Sequence, residues 1–164
     1  MAVGEFELIR QHFVRAIDDP SVVLGIGDDC ALLQAPPGQL LAASLDTLVE
    51  GVHFPAGASA ELIAQRALRV NLSDLAAMGA QPLWFTLGLT LPKADSRWLA
   101  DFSAGLFSAA QEFNCALVGG DTTRGPLSIT IQVFGGVAAN AALRRSAAQV
   151  GDKIYVTGNL GSGA

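Results

Sequence analysis

The sequence is poor in charge. Only 15% of its 164 residues are Asp, Glu, Lys or Arg, while 51% are apolar; the usual charged share is about 25%. Such a composition excludes a disordered chain. Ten basic residues face 15 acidic ones, net −5. No basic run occurs, so nucleic-acid binding by bulk charge is excluded. Long apolar runs are also missing. Residues 75–92 and 125–143, the longest uncharged stretches, are broken by Gly, Pro, Gln and Thr. Neither matches the ~20 continuous apolar residues of a membrane span. The acidic start, Met1-Ala-Val-Gly-Glu-Phe-Glu7, lacks the basic and apolar regions of a signal peptide. The two cysteines, Cys30 and Cys115, have no metal-ligand spacing. They are expected to be buried free thiols in a reducing cytoplasm. There is no GxxxxGK[ST] loop, no kinase HRD or DFG set, and no Ser/His/Asp or Cys/His constellation.

What is present fits one domain, long enough to bury roughly 70% of its unfolded surface. Phe6, Ile9, Phe13 and Ile17 recur at helical spacing over 5–17. Residues 30–33 and 39–48 read as strands around the Pro36-Pro37-Gly38 turn. Ser59 is placed to N-cap a helix to Met78, with Gly79 as its stop. Leu83 to Leu91 alternate as a strand, and Asp95 opens a helix with Trp98, Phe102, Leu106 and Phe113 on one face. Asn114 ends that helix. Strands are expected at 116–118, from Leu127 to Val133, and at 153–156. The fold class expected is α+β: a mixed four-stranded sheet with helices on one face. The other face is left apolar, which points to a second copy of the sheet or a missing domain. The Gly-rich stretch 157–164 looks built to lead onward, as in a fragment of a longer protein.

Ten of the 15 acids are Asp, and five of these stand in apolar or Gly-rich settings. They are Asp28 and Asp29 in Gly25-Ile-Gly-Asp-Asp-Cys30, Asp46 in Ser44-Leu-Asp-Thr47, Asp74 in Asn71-Leu-Ser-Asp74, and Asp121 in Gly119-Gly-Asp-Thr-Thr123. Singly, each has an ordinary explanation. An Asp after Gly is a turn residue, and Asp74 can pair with Arg66 or Arg69. Together they raise a question of repulsion. Two like charges ~4 Å apart repel by roughly 4 kcal/mol at an effective dielectric of 20. Bound divalent cations would remove that term, and all-oxygen ligands favour Mg²⁺, Ca²⁺ or Mn²⁺ over Zn²⁺. Gly119-Gly120 can let backbone N–H groups approach an anion. Arg124 and the Arg144-Arg145 pair can meet a phosphate, or simply an acid or solvent. His12 is expected at the surface. His53 follows Asp46 closely, though a lone His is more often structural.

Four motifs occur in order: Gly25-Ile-Gly-Asp-Asp-Cys-Ala31, Ser44-Leu-Asp-Thr-Leu-Val-Glu-Gly-Val-His-Phe54, Asn71-Leu-Ser-Asp-Leu-Ala-Ala-Met-Gly-Ala80 and Gly119-Gly-Asp-Thr-Thr-Arg124. Through them, and Gly4-Glu-Phe, essentially the whole chain resembles the N-terminal domain of the bacterial thiamine-monophosphate kinases. These belong to the aminoimidazole-ribonucleotide-synthetase-like superfamily of ATP users. The resemblance implies ATP-dependent phosphorylation of thiamine monophosphate to the diphosphate. It implies Mg²⁺ held by Asp29, Ser44, Asp46, Asp74 and Asp121, with Asp28 a weaker candidate. Relatives often carry Thr or Ser at the position of Leu45, so a contact there would come from its backbone carbonyl. Gly120, Asp121 and Arg145 would contact ATP, and His53 thiamine monophosphate.

The family resemblance further implies a cytoplasmic homodimer whose sheets close into a shared barrel. Residues 1–150 would be the ATP/Mg²⁺ and dimerisation domain, and 151–164 the start of a connection to a C-terminal domain. Without that domain the chain is not expected to be a competent kinase. The substrate phosphate, with a second pKa of ~6, needs no general base, so no catalytic side chain is expected. Other readings are another ATP-dependent member of the superfamily or a non-catalytic dimerisation module.

Overall fold

The computed structural model describes residues 5–156 and 158. In chain order the elements are α1 (Glu5–His12), β1 (Val22–Leu24), β2 (Leu32–Leu33), β3 (Gln39–Val49), α2 (Ala60–Ala77), β4 (Gln81–Leu91), α3 (Ser96–Glu112), β5 (Ala116–Arg124) and β6 (Ser128–Ala138), followed by a 3₁₀ turn, Arg145–Ala147. The main sheet runs β3-β6-β4-β5. β6 pairs antiparallel with β3 and with β4, and β4 pairs parallel with β5 across the α3 crossover. The expected mixed four-stranded α+β sheet is therefore present.

One face of the sheet carries the core. Phe85, Leu87, Leu89 and Leu91 of β4 and Ile129, Ile131 and Val133 of β6 alternate inward. They meet Leu68, Leu72 and Leu75 of α2 and Leu99, Phe102 and Leu106 of α3. Period-2 strands thus pack against period-3.6 helices. The two helices touch backbone to backbone: a Cβ at Gly105 would lie 2.3 Å from the Glu61 carbonyl oxygen. Both helices stop the same way. Gly79 (φ +70°) and Asn114 (φ +50°) take the left-handed conformation. Ala80 N–H then reaches Leu75 O, and Cys115 N–H reaches Ala110 O, each at 2.9 Å. This is the Schellman closure. Asp95 caps α3 by accepting from the Arg97 and Trp98 N–H groups, both at 3.1 Å. Those bonds, Trp98's first, hold its carboxyl below the usual range. Ser59 stands at the N-cap of α2 but makes no side-chain capping bond.

The structure departs from the sequence reading at several points. α1 ends at His12, not Ile17, as both Phe13 and Val14 N–H turn back to Ile9 O. β2 pairs with the three-residue β1, which the sequence reading missed, and not with β3 across the proline turn. β5 does not stop at Val118 but continues through the Gly119-Gly120 stretch, which is strand and not turn. Residues 153–156 form no strand and are exposed. His12 is buried, not at the surface; that burial, with Arg15 nearby, lowers its pKa. Cys30 is exposed, whereas Cys115 is buried and free as expected. Of the stretch 157–164, all but Gly158 lies outside the described residues.

The second face is less apolar than expected. Its centre is Thr86, Gly88, Thr90, Thr130 and Gln132, all partly exposed. Trp84 lies on this side but is 1% exposed, its indole N–H bonded to Ser21 Oγ at 3.0 Å. The exposed apolar groups concentrate on β3, at Leu41 and Leu45.

Candidate functional site

Two of the expected ligands meet where β3 faces α2. On β3, Ser44 and Asp46 point to the helix side and are half-buried. Ser44 Oγ donates to Asp74 Oδ2 at 2.6 Å. Asp46 N–H donates to Asn71 Oδ1 at 3.0 Å. Asn71 is 0% exposed and its Nδ2 donates to Ala67 O at 2.9 Å. Asn71 and Asp74, three apart, share one helix face; Ser44 and Asp46, two apart, share one strand face. Asp74 is exposed on α2. It does not pair with Arg69, which bridges to Glu112 of α3 at 2.7 Å. Among the described residues no cation pairs with Asp46 or Asp74. Leu45 points to the opposite face, so only its backbone can turn toward this corner.

The other expected residues stand apart. Asp121 lies on β5, opposite Gly88. β3 and β5 are the two edges of the sheet, so Asp46 and Asp121 are three strand spacings apart, about 14 Å. Asp29 sits in the exposed loop between β1 and β2, where its N–H donates to Asp28 Oδ1 at 2.8 Å. Asp28 thus serves the loop's own turn. Among the described residues no three His, Cys, Asp or Glu side chains gather at one metal-sized point. One corner holds two carboxylates and a hydroxyl, while Asp29 and Asp121 lie elsewhere on the chain.

His53 stands in the turn after β3, seven residues beyond Asp46, but folds back so that its ring meets Val49, three strand residues or ~10 Å from Asp46. Val49 N–H donates to its Nδ1 at 3.0 Å. In the neutral ring the proton therefore sits on Nε2, which is presented outward as a donor. Phe54 beside it is buried and anchors the turn. Arg145 is exposed in the 3₁₀ turn after β6. That segment is tied to the end of α2, where Leu143 N–H donates to Met78 O at 3.0 Å. Arg145 thus follows a segment pinned one turn past Asp74. Gly120 has φ +150°, and a Cβ there would lie 2.0 Å from Leu87 O. Its close backbone contact is with β4. The residue that sequence reasoning missed is Asn71. A signal was available: an amide one helical turn before an Asp, on an otherwise apolar face.

Comparison with known proteins agrees with this architecture. The chain belongs to the family described as AIR synthase related protein, N-terminal domain, whose family model matches residues 27–137. Within curated proteins it is similar to the thiamine-monophosphate kinase of Escherichia coli strain K12, 54% identical over 165 residues, covering 100% of this chain and 51% of that one. Among solved structures it is similar to thiamine-monophosphate kinase from Stenotrophomonas maltophilia K279a, with a TM-score of 0.78 and 48% identity over 88% of this chain and 46% of that one. It is also similar to AaThiL complexed with AMPPCP and TMP, with a TM-score of 0.60 and 29% identity over 83% of this chain and 43% of that one. The chain spans about half the length of the curated relatives it matches.

Proposed function

We propose that this chain supplies the Mg²⁺- and ATP-binding half of a thiamine-monophosphate kinase, with residues 1–150 as that domain and 151–164 as the start of a connection to a second one. The observation that carries the reading is the β3–α2 corner: Asp74 accepts from Ser44 Oγ, Asp46 shares the strand face of Ser44, and among the described residues no cation pairs with either carboxylate. The 54% identity to a thiamine-monophosphate kinase along the whole chain supports the same reaction.

The donor set fits Mg²⁺, which takes oxygen ligands, keeps several waters and is commonly held by one or two carboxylates plus substrate phosphates. Asp46, Asp74, Ser44 and the Leu45 carbonyl would hold it here, with Asp29 and Asp121 as further ligands from elsewhere on the assembled site. When bound, Mg²⁺ neutralises charge on the phosphates that must approach one another. The protein's own groups do the rest. Arg145 pairs with ATP phosphate, and Gly120 and Asp121 contact the nucleotide. The His53 Nε2–H donates to thiamine monophosphate. The acceptor phosphate is already ionised at pH 7, so transfer proceeds in line without a general base or phosphoenzyme. A cytoplasmic homodimer, its two sheets closing into a barrel, would cover Leu41 and Leu45.

Calorimetric titration with AMPPCP, with and without Mg²⁺, tests this. Binding that requires Mg²⁺ and is lost in Asp46→Asn is the expected result. Equal binding without Mg²⁺, or in Asp46→Asn, overturns the assignment of the corner.

A further inference from the structure

The ligand set above does not include Asn71, yet Asn71 is the one fully buried polar side chain on α2 among the described residues. Its amide is used at both ends. Nδ2–H donates one turn back to Ala67 O, and Oδ1 accepts from Asp46 N–H. Three residues on, Asp74 accepts from Ser44 Oγ. Helix and strand are therefore joined by two rungs, Asn71 to Asp46 and Asp74 to Ser44. The rungs differ in kind. The Asp74 rung is solvent-exposed, and water competes with it. The Asn71 amide lies out of water, where a hydrogen bond is electrostatically stronger and an unpaired group costs more. Only the Asn71 rung is fit to hold the register, leaving Asp74 able to release Ser44 and turn to another partner.

The residue type is specific to this task. An Asp at 71 could accept from Asp46 N–H but could not donate to Ala67 O, and it would bring a third carboxylate beside two others. A Leu of similar size would do neither. Within this chain β3 is also an edge strand, so no other strand of its own sheet fixes Asp46 from that side. We infer that Asn71 is the positioning residue of this site, locking the Asp46 backbone to α2 so that Asp46, Ser44 and Asp74 face one divalent cation together. This rests on the reading of the corner given above.

The test compares the wild-type chain with Asn71→Leu, using Mn²⁺ as probe. Paramagnetic broadening of the Asp46 and Asp74 resonances reports the metal, and amide exchange at Asp46 reports the bond. In the wild type, Mn²⁺ should broaden both residues, and the Asp46 amide should exchange slowly for an edge strand. In folded N71L the Asp46 amide should exchange at least about ten-fold faster and Mn²⁺ should bind about 10–100-fold more weakly, as when outer-shell partners of a metal site are removed. Asn71→Asp, which keeps the acceptor, should restore slow exchange at Asp46. A purely structural role would leave Mn²⁺ affinity unchanged in folded N71L, and that result overturns the inference alone. Mn²⁺ that broadens nothing near Asp46 and Asp74 in the wild type overturns the divalent-cation reading and the inference with it. Should N71L fail to fold, the wild type decides. Fast Asp46 exchange overturns the inference; slow exchange with both residues broadened supports it.

Discussion

The two edge strands of the sheet each carry an Asp from the motif set, and they hold it by opposite means. On β3, Asp46 is fixed by side chains: the buried Asn71 amide grips its N–H, and Ser44 ties the strand to Asp74. On β5, Asp121 is fixed by backbone. The register against β4 slips between Phe85 and Thr86, and Gly120 with φ +150° presses against the Leu87 carbonyl. Such an irregularity re-aims the residues that follow it. The difference teaches where each site is fragile. β3 depends on residues that other types can partly imitate, whereas β5 depends on an absent side chain, which nothing can imitate.

The largest effect should come from breaking the β5 device. Gly120→Ala places a Cβ 2.0 Å from Leu87 O, on backbone that cannot yield without opening the β4–β5 ladder, and at a positive φ. We expect a loss of roughly 3 kcal/mol or more, measured by urea denaturation. A loss below 1 kcal/mol would show that β5 re-registers easily. On β3 the outcome is smaller and splits in two. Ser44→Ala removes one exposed hydrogen bond and should cost about 1 kcal/mol. Asp46→Asn keeps the backbone N–H that Asn71 holds and removes a charge with no cation partner. Its stability should stay within about 0.5 kcal/mol of wild type. Mg²⁺-dependent AMPPCP binding should nevertheless disappear. A group that costs little stability and all binding is what a ligand carboxylate predicts. A large destabilisation in Asp46→Asn would make it a structural residue instead.

The contrast also explains what was legible in the sequence. The core side of the sheet was legible because Phe85 to Leu91 and Leu127 to Val133 alternate, and alternation is dictated by the pleat. Leu83, read as part of that series, falls at the register shift between Pro82 and Trp84 and lies outside the core cluster. The left-handed stops at Gly79 and Asn114 were legible for a similar local reason. Gly119-Gly120 misled because glycine at a close backbone approach has the same signature as glycine in a turn. β1 was missed because three residues are too few to establish a period. At the site, the motif residues Ser44, Asp46 and Asp74 were singled out, and Ser44 and Asp74 do meet. That Asp121 stands away from them depends on strand order, and Asp29 belongs to a loop of the separate β1–β2 pair; no local pattern encodes either placement. Asn71 escaped notice since its partner, the N–H of Asp46, is a backbone group carrying no sequence identity.

The smallest effect carries a similar contrast to the two thiols, one in the β1–β2 loop and one at the start of β5. Cys30 follows Asp28-Asp29 in an exposed loop, while Cys115 lies buried at the threshold of β5. Burial raises the Cys115 pKa from 9.0 to about 12, because the desolvated thiolate is disfavoured. At pH 8 a thiol reagent should therefore label Cys30 rapidly and Cys115 only at the rate of opening. Two fast thiols would mean that the start of β5 frays in the native state. Linkage gives the same contrast a sign. The folded state keeps its Cys115 proton to higher pH than the unfolded state does, so the contribution is fully present below pH 9.0. It is lost progressively as pH rises from there toward 12. Cys115→Ala should flatten the alkaline limb of the stability profile, and Cys30→Ala should leave it unchanged. An alkaline limb identical in both variants would place the proton linkage elsewhere and remove the burial of Cys115 as its cause.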